Sequence, residues 1–271
     1  MSARLASVLL ASAVLASARL ASAVLASALL ASAVLASARL ASTVLASTRL
    51  ASACVAPLVR RPFVAAPALA LLSVLALPAP AVAVTGLVVG DSISAAYGLA
   101  EKDGWVRLAE TRLREDYPDV ELVNASISGD TTGGGLQRLP AALERFEPDL
   151  VIIELGGNDG LRGYPPKAMQ KNIEAMAELA SASGAEVLIL GMKIPSNYGA
   201  AYTRLFGEAF AAAAETTDAT LVPFLLEPIA GDRANFQSDG IHPTAEAQPL
   251  LVEHVLPTLR DMIAEREDET S

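Results

Sequence analysis

A serine follows directly after a short apolar run in the first half of the chain. The tripeptide Gly90-Asp91-Ser92 directly follows the run Leu87–Val89. A β-branched apolar run of this kind predicts a buried parallel strand, and open α/β sheets bind ligands at the carboxyl ends of their strands. Ser92 is therefore a candidate nucleophile, although Gly-Asp-Ser is also an ordinary turn composition.

A neutral serine hydroxyl needs a general base, and histidine is the side chain that titrates near neutral pH. The chain has two histidines, of which His254 lies in an apolar stretch with a helical pattern that favours packing. His242 lies between a glycine and a proline, three residues after Asp239. One short turn can present both side chains together, so that the carboxylate fixes the imidazole tautomer. We predict a catalytic triad of Ser92, His242 and Asp239.

Two further polar positions follow apolar runs, and their chemistry suits an ester hydrolase. Gly129 follows the run Val120–Val123, and Asn158 follows the run Leu150–Leu155. Ester hydrolysis passes through a tetrahedral oxyanion, which preorganised N–H donors stabilise. A glycine lets the backbone approach a substrate oxygen closely, and an asparagine offers a side-chain N–H. A turn glycine and an Asx-turn are the structural alternatives.

These four motifs resemble, in type and order, the Ser, Gly, Asn and His blocks of the SGNH (GDSL-type) hydrolases. The resemblance covers residues 85 to 260. The residues that flank the four blocks are similar to those of the bacterial TesA branch. That branch comprises acyl-CoA thioesterase I, lysophospholipase L1 and arylesterase. The resemblance implies an oxyanion hole formed by the amides of Ser92 and Gly129 with the side chain of Asn158. It also implies a promiscuous serine hydrolase of acyl esters and thioesters.

Two loops are expected to contact the substrate. Residues 160–165 carry two glycines next to Asn158, which predicts a mobile lid, and the matching loop of the TesA branch moves over bound acyl chains. Residues 194–199 follow the fourth predicted strand and also resemble that branch. The expected substrate-binding residues are Leu161, Arg162, Tyr164, Pro165, Ile194 and Tyr198. Both segments are equally compatible with passive surface loops.

Other catalytic motifs are missing from the sequence. The glycine run 131–135 lacks the Gly-Lys-Ser/Thr ending of a phosphate loop, and the serine motif does not fit Gly-x-Ser-x-Gly. Two histidines and no cysteine after residue 54 leave little for a zinc site. We therefore expect no metal and no cofactor. Asp91 and Asp159 are expected to hold loops by hydrogen bonds.

Strand-like and helix-compatible stretches alternate along residues 84–271. Apolar runs recur at 87–89, 120–123, 150–155, 187–190 and 220–222, with helix-compatible stretches at about 103–117, 135–146, 166–183, 201–217 and 244–265. This alternation predicts a parallel sheet covered on both faces, a three-layer α/β/α sandwich with five strands. The family resemblance implies the flavodoxin-like version of this fold. Ser92 is expected to open the first helix.

The first part of the chain has a different composition. Residues 1–58 are dominated by an Ala, Ser and Leu repeat of period ten, which gives no amphipathic helical face and is most simply a low-complexity segment, or one that is not translated. A secreted repeat module and a membrane-associated segment are alternatives. In residues 59–83, two arginines precede a 15-residue apolar stretch and an Ala-x-Ala site. These features predict a signal peptide cleaved after Ala83, with an uncleaved anchor as the alternative.

Charge bears on the partners of the third segment, residues 84–271, the predicted hydrolase domain. It contains 14 basic and 30 acidic side chains, a net charge of −16. Such a charge repels nucleic acid and anionic bilayers, so neutral or zwitterionic esters, including lysophospholipids, are the expected substrates. We expect a periplasmic or secreted monomer without stable membrane insertion. A carbohydrate O-deacetylase and a non-catalytic surface protein that carries the repeat are the alternatives.

Overall fold

The computed structural model describes residues 84–270, with side-chain environments to residue 267. The predicted repeat at 1–58 and the predicted signal peptide at 59–83 lie outside the described residues. Among the described residues, no helix combines the length and the apolar character that crossing a membrane requires.

Five parallel strands of the described residues form one sheet. In chain order they are β1 (Thr85–Gly90), β2 (Glu121–Asn124), β3 (Leu150–Glu154), β4 (Glu186–Leu190) and β5 (Thr220–Val222). Their order across the sheet is β2-β1-β3-β4-β5, and every neighbouring pair is parallel. The central strands are buried along their whole apolar length, as expected when helices cover both faces of a sheet.

Six α-helices of residues 84–270 complete the three-layer α/β/α sandwich that the sequence predicts. They are α1 (Trp105–Leu113), α2 (Thr132–Phe146), α3 (Gly157–Leu161), α4 (Pro166–Ala182), α5 (Ala200–Thr217) and α6 (Gln248–Thr270). Helix α1 packs against α6, while α4 packs between α2 and α5. The buried core residues therefore come from both helix groups and from all five strands.

Several element boundaries differ from the expectation, among them α6, which spans Gln248–Thr270 rather than about 244–265. Ser92 does not open a helix: residues 92–98 form consecutive turns, and the first α-helix in the described part of the chain begins at Trp105. Ala96 adopts a left-handed backbone with a φ of 55°, which interrupts any helix there. Helix α2 begins three residues earlier than predicted, because the side chain of Thr131 caps it by accepting from the amide of Gly134.

Candidate active site

Ser92, His242 and Asp239 form a chain of hydrogen bonds at the carboxyl edge of the sheet. The distance from Ser92 Oγ to His242 Nε2 is 2.8 Å, and from His242 Nδ1 to Asp239 Oδ2 it is 2.7 Å. The other carboxylate oxygen, Oδ1, accepts from the backbone amides of Ile241 and His242. The side chains predicted to be nucleophile, base and orienting group thus stand in the geometry of a serine-hydrolase triad.

Hydrogen bonds lower the pKa of the solvent-exposed carboxyl of Asp239. Its pKa falls from 3.8 to about 2, chiefly because the side chain of His242 donates to it, and further because the amides of Ile241 and His242 do so. A carboxylate of this kind holds its negative charge throughout the neutral range, so it can support a positive charge on the imidazole.

The three proposed oxyanion donors line the same cavity. Ser92 follows β1, Gly129 lies in the loop after β2, and Asn158 is the second residue of α3, directly after β3. Gly129 has a φ of +81°, a backbone conformation that side chains rarely adopt. The structure therefore brings together all five residues that the sequence assigned to the triad and the oxyanion hole. The three donors follow strands whose carboxyl ends meet at one edge, and the loop that holds Asp239 and His242 reaches the same edge.

Asp91, the residue before Ser92, and Glu154 form a buried acidic pair. Burial raises the pKa of Asp91 from 3.8 to about 6, against the opposing hydrogen bonds from the Ile93 amide and the Asn158 side chain. Glu154 is fully buried, and burial together with the nearby Asp91 raises its pKa well above the ordinary value. Its Oε2 accepts from the Ser94 hydroxyl at 2.7 Å. The sequence reasoning did not single out Glu154, since a glutamate at a strand end carries no motif.

The two aspartates predicted to hold loops do form such hydrogen bonds. Asp91 Oδ1 accepts from the amide of Ile93 at 3.0 Å. Asp159 accepts from both the amide and the hydroxyl of Thr132, at 2.9 and 2.7 Å. The first contact shapes the turn that carries the nucleophile, and the second fastens α3 to the start of α2.

A cavity of about 1010 Å³ opens beside the triad. Most of its wall is apolar. The apolar part includes Ile93, Leu161, Met192, Ile194, Pro195, Phe224, Leu226, Phe236 and Ile241. Two cationic side chains, Lys193 and Arg233, line it as well. Such a cavity fits an extended apolar group next to a reacting carbonyl.

The predicted substrate-binding residues fall into two groups. Leu161 and Ile194 line the cavity, whereas Arg162, Tyr164, Pro165 and Tyr198 are not among its lining residues. The Tyr198 hydroxyl instead donates to the carbonyl of Leu161 at 3.0 Å, and Arg162 Nη2 donates to the carbonyl of Gly129 at 2.9 Å. The carbonyl of Tyr164 accepts from the Tyr202 hydroxyl at 2.6 Å. These contacts fasten the loop at 160–165 to its neighbours.

Sequence reasoning missed several cavity residues. Tyr97, Lys193 and Phe224 lie in turns or loops, and Arg233 begins a three-residue 3₁₀ helix, so no periodicity marks any of them. Among residues 84–270, no group of three or more His, Cys, Asp or Glu side chains is placed to hold a metal ion. His254 packs as expected, with Nε2 at 3.1 Å from the carbonyl of Phe224.

Known proteins resemble both the sequence and the fold. Residues 88–249 match the model of the GDSL-like lipase/acylhydrolase family. Esterase TesA of Pseudomonas aeruginosa is 51% identical over 192 residues, which cover 71% of this chain and 96% of that protein. The Escherichia coli protein named thioesterase 1/protease 1/lysophospholipase L1 is 37% identical over 183 residues, which cover 68% of this chain and 86% of that protein. A crystal structure of TesA matches with a TM-score of 0.64 at 53% identity, covering 66% of this chain and 99% of that one.

Proposed function

The chain belongs to the GDSL-like lipase/acylhydrolase family and is an esterase, as its motifs predicted, and we propose that Ser92, His242 and Asp239 carry out its reaction. The observation that carries the proposal is the 2.8 Å contact between Ser92 Oγ and His242 Nε2. A serine within hydrogen-bond reach of an oriented imidazole is an activated nucleophile.

The reaction proceeds in two halves. In acylation, His242 Nε2 takes the proton of Ser92 Oγ as the oxygen attacks the substrate carbonyl, and then gives it to the leaving alcohol or thiol. In deacylation, His242 takes a proton from water, which attacks the acyl-enzyme, and returns it to Ser92. Asp239 keeps the proton on Nδ1 and supports the imidazolium in both halves.

The oxyanion of each tetrahedral intermediate is held by three donors. They are the amides of Ser92 and Gly129 and the side-chain N–H of Asn158. Each donor of this kind contributes about 2.7 to 4 kcal/mol to transition-state stabilisation in other hydrolases. The side-chain nitrogen of Asn158 carries two hydrogens, of which one is bound to Asp91 and the other serves the substrate.

The acyl chain occupies the apolar cavity, which makes medium and long acyl esters the favoured substrates. The E. coli relative is named both a thioesterase and a lysophospholipase. We infer that this chain hydrolyses the same two classes of substrate. The net charge of −16 on residues 84–271 disfavours polyanionic substrates at low salt, so neutral aryl esters and zwitterionic lysophospholipids come first. Of the two loops predicted to bind substrate, 160–165 and 194–199, each contributes a cavity residue.

Hydrolysis of p-nitrophenyl esters from acetyl to palmitoyl by the purified full chain tests the proposal. We expect rates that peak at medium or long chains and a loss of activity in Ser92→Ala. Ser183→Ala is the matched control, because that hydroxyl only donates to the carbonyl of Ala180 at the end of α4. Activity limited to acetyl esters would favour a carbohydrate O-deacetylase, and inactivity at every length would favour a non-catalytic protein.

Residues 59–83 direct export to the periplasm or the medium, and the mature enzyme is a monomer without stable membrane insertion. The hydrolase domain is residues 84–271, preceded by the low-complexity segment 1–58. The export of the chain is supported by two arginines, an apolar stretch and an Ala-x-Ala site, which follow one another in residues 59–83. Amino-terminal sequencing of the exported protein should begin at Val84, and native mass spectrometry should give one chain. Peptides from residues 11–50 would contradict the assignment of the repeat, and a dimer mass would contradict the monomer.

A further inference from the structure

The ring of Tyr97 lies against the imidazole of His242 at the cavity wall. The two ring centroids are 4.3 Å apart, and the ring planes make an angle of 33°. Tyr97 is 52% exposed, so packing in the core does not account for its position. The contact therefore needs another explanation.

Backbone contacts on both sides hold this pair of rings together. The amide of Tyr97 donates to the carbonyl of Ser92 at 3.0 Å, so the turn that carries the nucleophile also presents the aromatic ring. Gln237 Nε2 donates to the carbonyl of Tyr97 at 2.8 Å, and the Gln237 amide donates to the carbonyl of His242 at 2.8 Å. Ala96, the residue before Tyr97, has a left-handed backbone conformation. One glutamine thus links the tyrosine to the loop of the base.

Resting on the proposed triad, we propose that Tyr97 is a positioning residue whose π face stabilises the imidazolium form of His242 during catalysis. The imidazole becomes positively charged each time it takes a proton, in both halves of the reaction. The face of an aromatic ring is the negative end of its quadrupole and attracts a cation within about 6 Å of its centroid. A neutral imidazole gains little from it, so the interaction acts mainly in the transition state.

The other groups around the imidazole leave this role open. The carboxylate of Asp239 binds Nδ1, and the hydroxyl of Ser92 binds Nε2. The carboxylate of Asp91 acts on the imidazole only at longer range. The edges of the ring are therefore committed to the triad, and Tyr97 covers a face.

Two substitutions separate the ring from its hydroxyl. We expect Tyr97→Leu to lower kcat about fivefold with KM nearly unchanged, because the lost interaction forms only as charge develops. Tyr97→Phe should restore kcat to within about twofold, since its ring keeps the face that contacts His242. If Tyr97 merely filled the cavity wall, Tyr97→Leu would raise KM instead of lowering kcat.

The decisive experiment places phenylalanine, then its mono-, tri- and pentafluoro derivatives, at position 97 of the full chain. Fluorine withdraws π electrons with little change in ring size, so kcat for a p-nitrophenyl ester should fall stepwise along the series. Equal kcat values across the series would overturn the proposal, and so would a change confined to KM. Ser92→Ala is measured in parallel: if it retains the wild-type rate, the triad itself fails. A flat series together with an inactive Ser92→Ala overturns only the role of Tyr97.

Discussion

Asn158 donates a hydrogen bond from Nδ2 to Oδ2 of Asp91 at 2.9 Å. Asp91 precedes the nucleophile in sequence, and Asn158 lies 67 residues later in the short helix after β3. The bond therefore fixes the proposed oxyanion donor against the segment that carries Ser92. It also fixes the rotation of the amide, so that the second hydrogen on Nδ2 points away from Asp91.

Removal of Asn158 and Asp91 should have non-additive effects on catalysis. We expect Asn158→Ala to lower kcat roughly 100-fold, as loss of one oxyanion donor does elsewhere. Asp91→Ala should cost clearly more in the wild-type chain than in the Asn158→Ala chain, because part of its effect passes through the amide. A double-mutant cycle on kcat for p-nitrophenyl butyrate measures the coupling. Purely additive losses would show that the bond does not position the donor.

The buried carboxyl of Asp91 should make the fold less stable as the pH rises through the acidic range. Its pKa is about 6 in the folded chain, against 3.8 ordinarily, because burial disfavours the charged form. The unfolded chain therefore loses this proton near pH 4 and the folded chain near pH 6. The free energy of unfolding should fall by up to about 3 kcal/mol over that window, through this group alone, and stay level above it.

Urea unfolding at pH 4, 5, 6 and 7 measures this dependence. Asp91→Asn removes the titrating group at nearly constant size and should flatten the curve between pH 4 and 6. Glu154 is present in both proteins, but the charge of Asp91 is one cause of its raised pKa, so its own contribution should also become smaller in Asp91→Asn. Parallel curves for the two proteins would contradict the assignment.

Asp239→Asn should damage the triad through the tautomer of His242. Asp239 Oδ1 accepts from two backbone amides, so the amide oxygen of an asparagine would stay at that position and its NH₂ would face Nδ1. An NH₂ there favours the imidazole with its proton on Nε2, which cannot accept the Ser92 proton. We expect kcat to fall roughly 10³- to 10⁴-fold. Asp218→Asn, at the left-handed end of α5, is the matched control and should retain activity.

The ionised carboxylate of Asp239 should also stabilise the fold, and this contribution should be lost at acidic pH. Its pKa of about 2 lies below the ordinary 3.8, so its contribution is present above pH 4 and is lost as the pH falls through 2. The sign is opposite to that of Asp91. Comparing acid unfolding of wild type and Asp239→Asn separates the two effects.

The triad could be predicted from the sequence because Ser92 directly follows an apolar run, while His242 lies in a loop beside Gly240 and Pro243, three residues after Asp239. Ser92 and His242 are 150 residues apart; the sheet places the end of β1 at its carboxyl edge, and the loop that holds His242 reaches the same edge. The left-handed backbone of Ala96 could not be foreseen, since alanine does not signal that conformation. The contact between Tyr97 and His242 depends on that turn, and so it emerged only from the structure.

The loop at 160–165 illustrates a different limit. Its composition suggested contact with substrate, and Leu161 does line the cavity. Arg162, however, uses Nη2 on the carbonyl of Gly129, a pairing between two loops whose relative placement depends on packing. No local pattern encodes a hydrogen bond of this kind.

Arg162 should act on the turn of Gly129 and not on the substrate. We expect Arg162→Gln to lower kcat about threefold, with KM for neutral esters unchanged, because one charge-assisted bond at an exposed site is lost. Steady-state kinetics with p-nitrophenyl butyrate separate the two parameters. A higher KM at constant kcat would instead favour the substrate-binding role that the sequence suggested.

The apolar cavity should set the preferred acyl length. Ala230 lines the cavity and is exposed, so a larger side chain there occupies cavity space without overpacking the core. We expect Ala230→Trp to lower kcat/KM for palmitoyl esters about tenfold or more, since each buried methylene contributes about 0.8 kcal/mol, while acetyl esters react at nearly the wild-type rate. Ala211→Trp, on an exposed face of α5 away from the cavity lining, is the matched control. If the chain-length profile of Ala230→Trp matches that of the control, the acyl chain binds elsewhere.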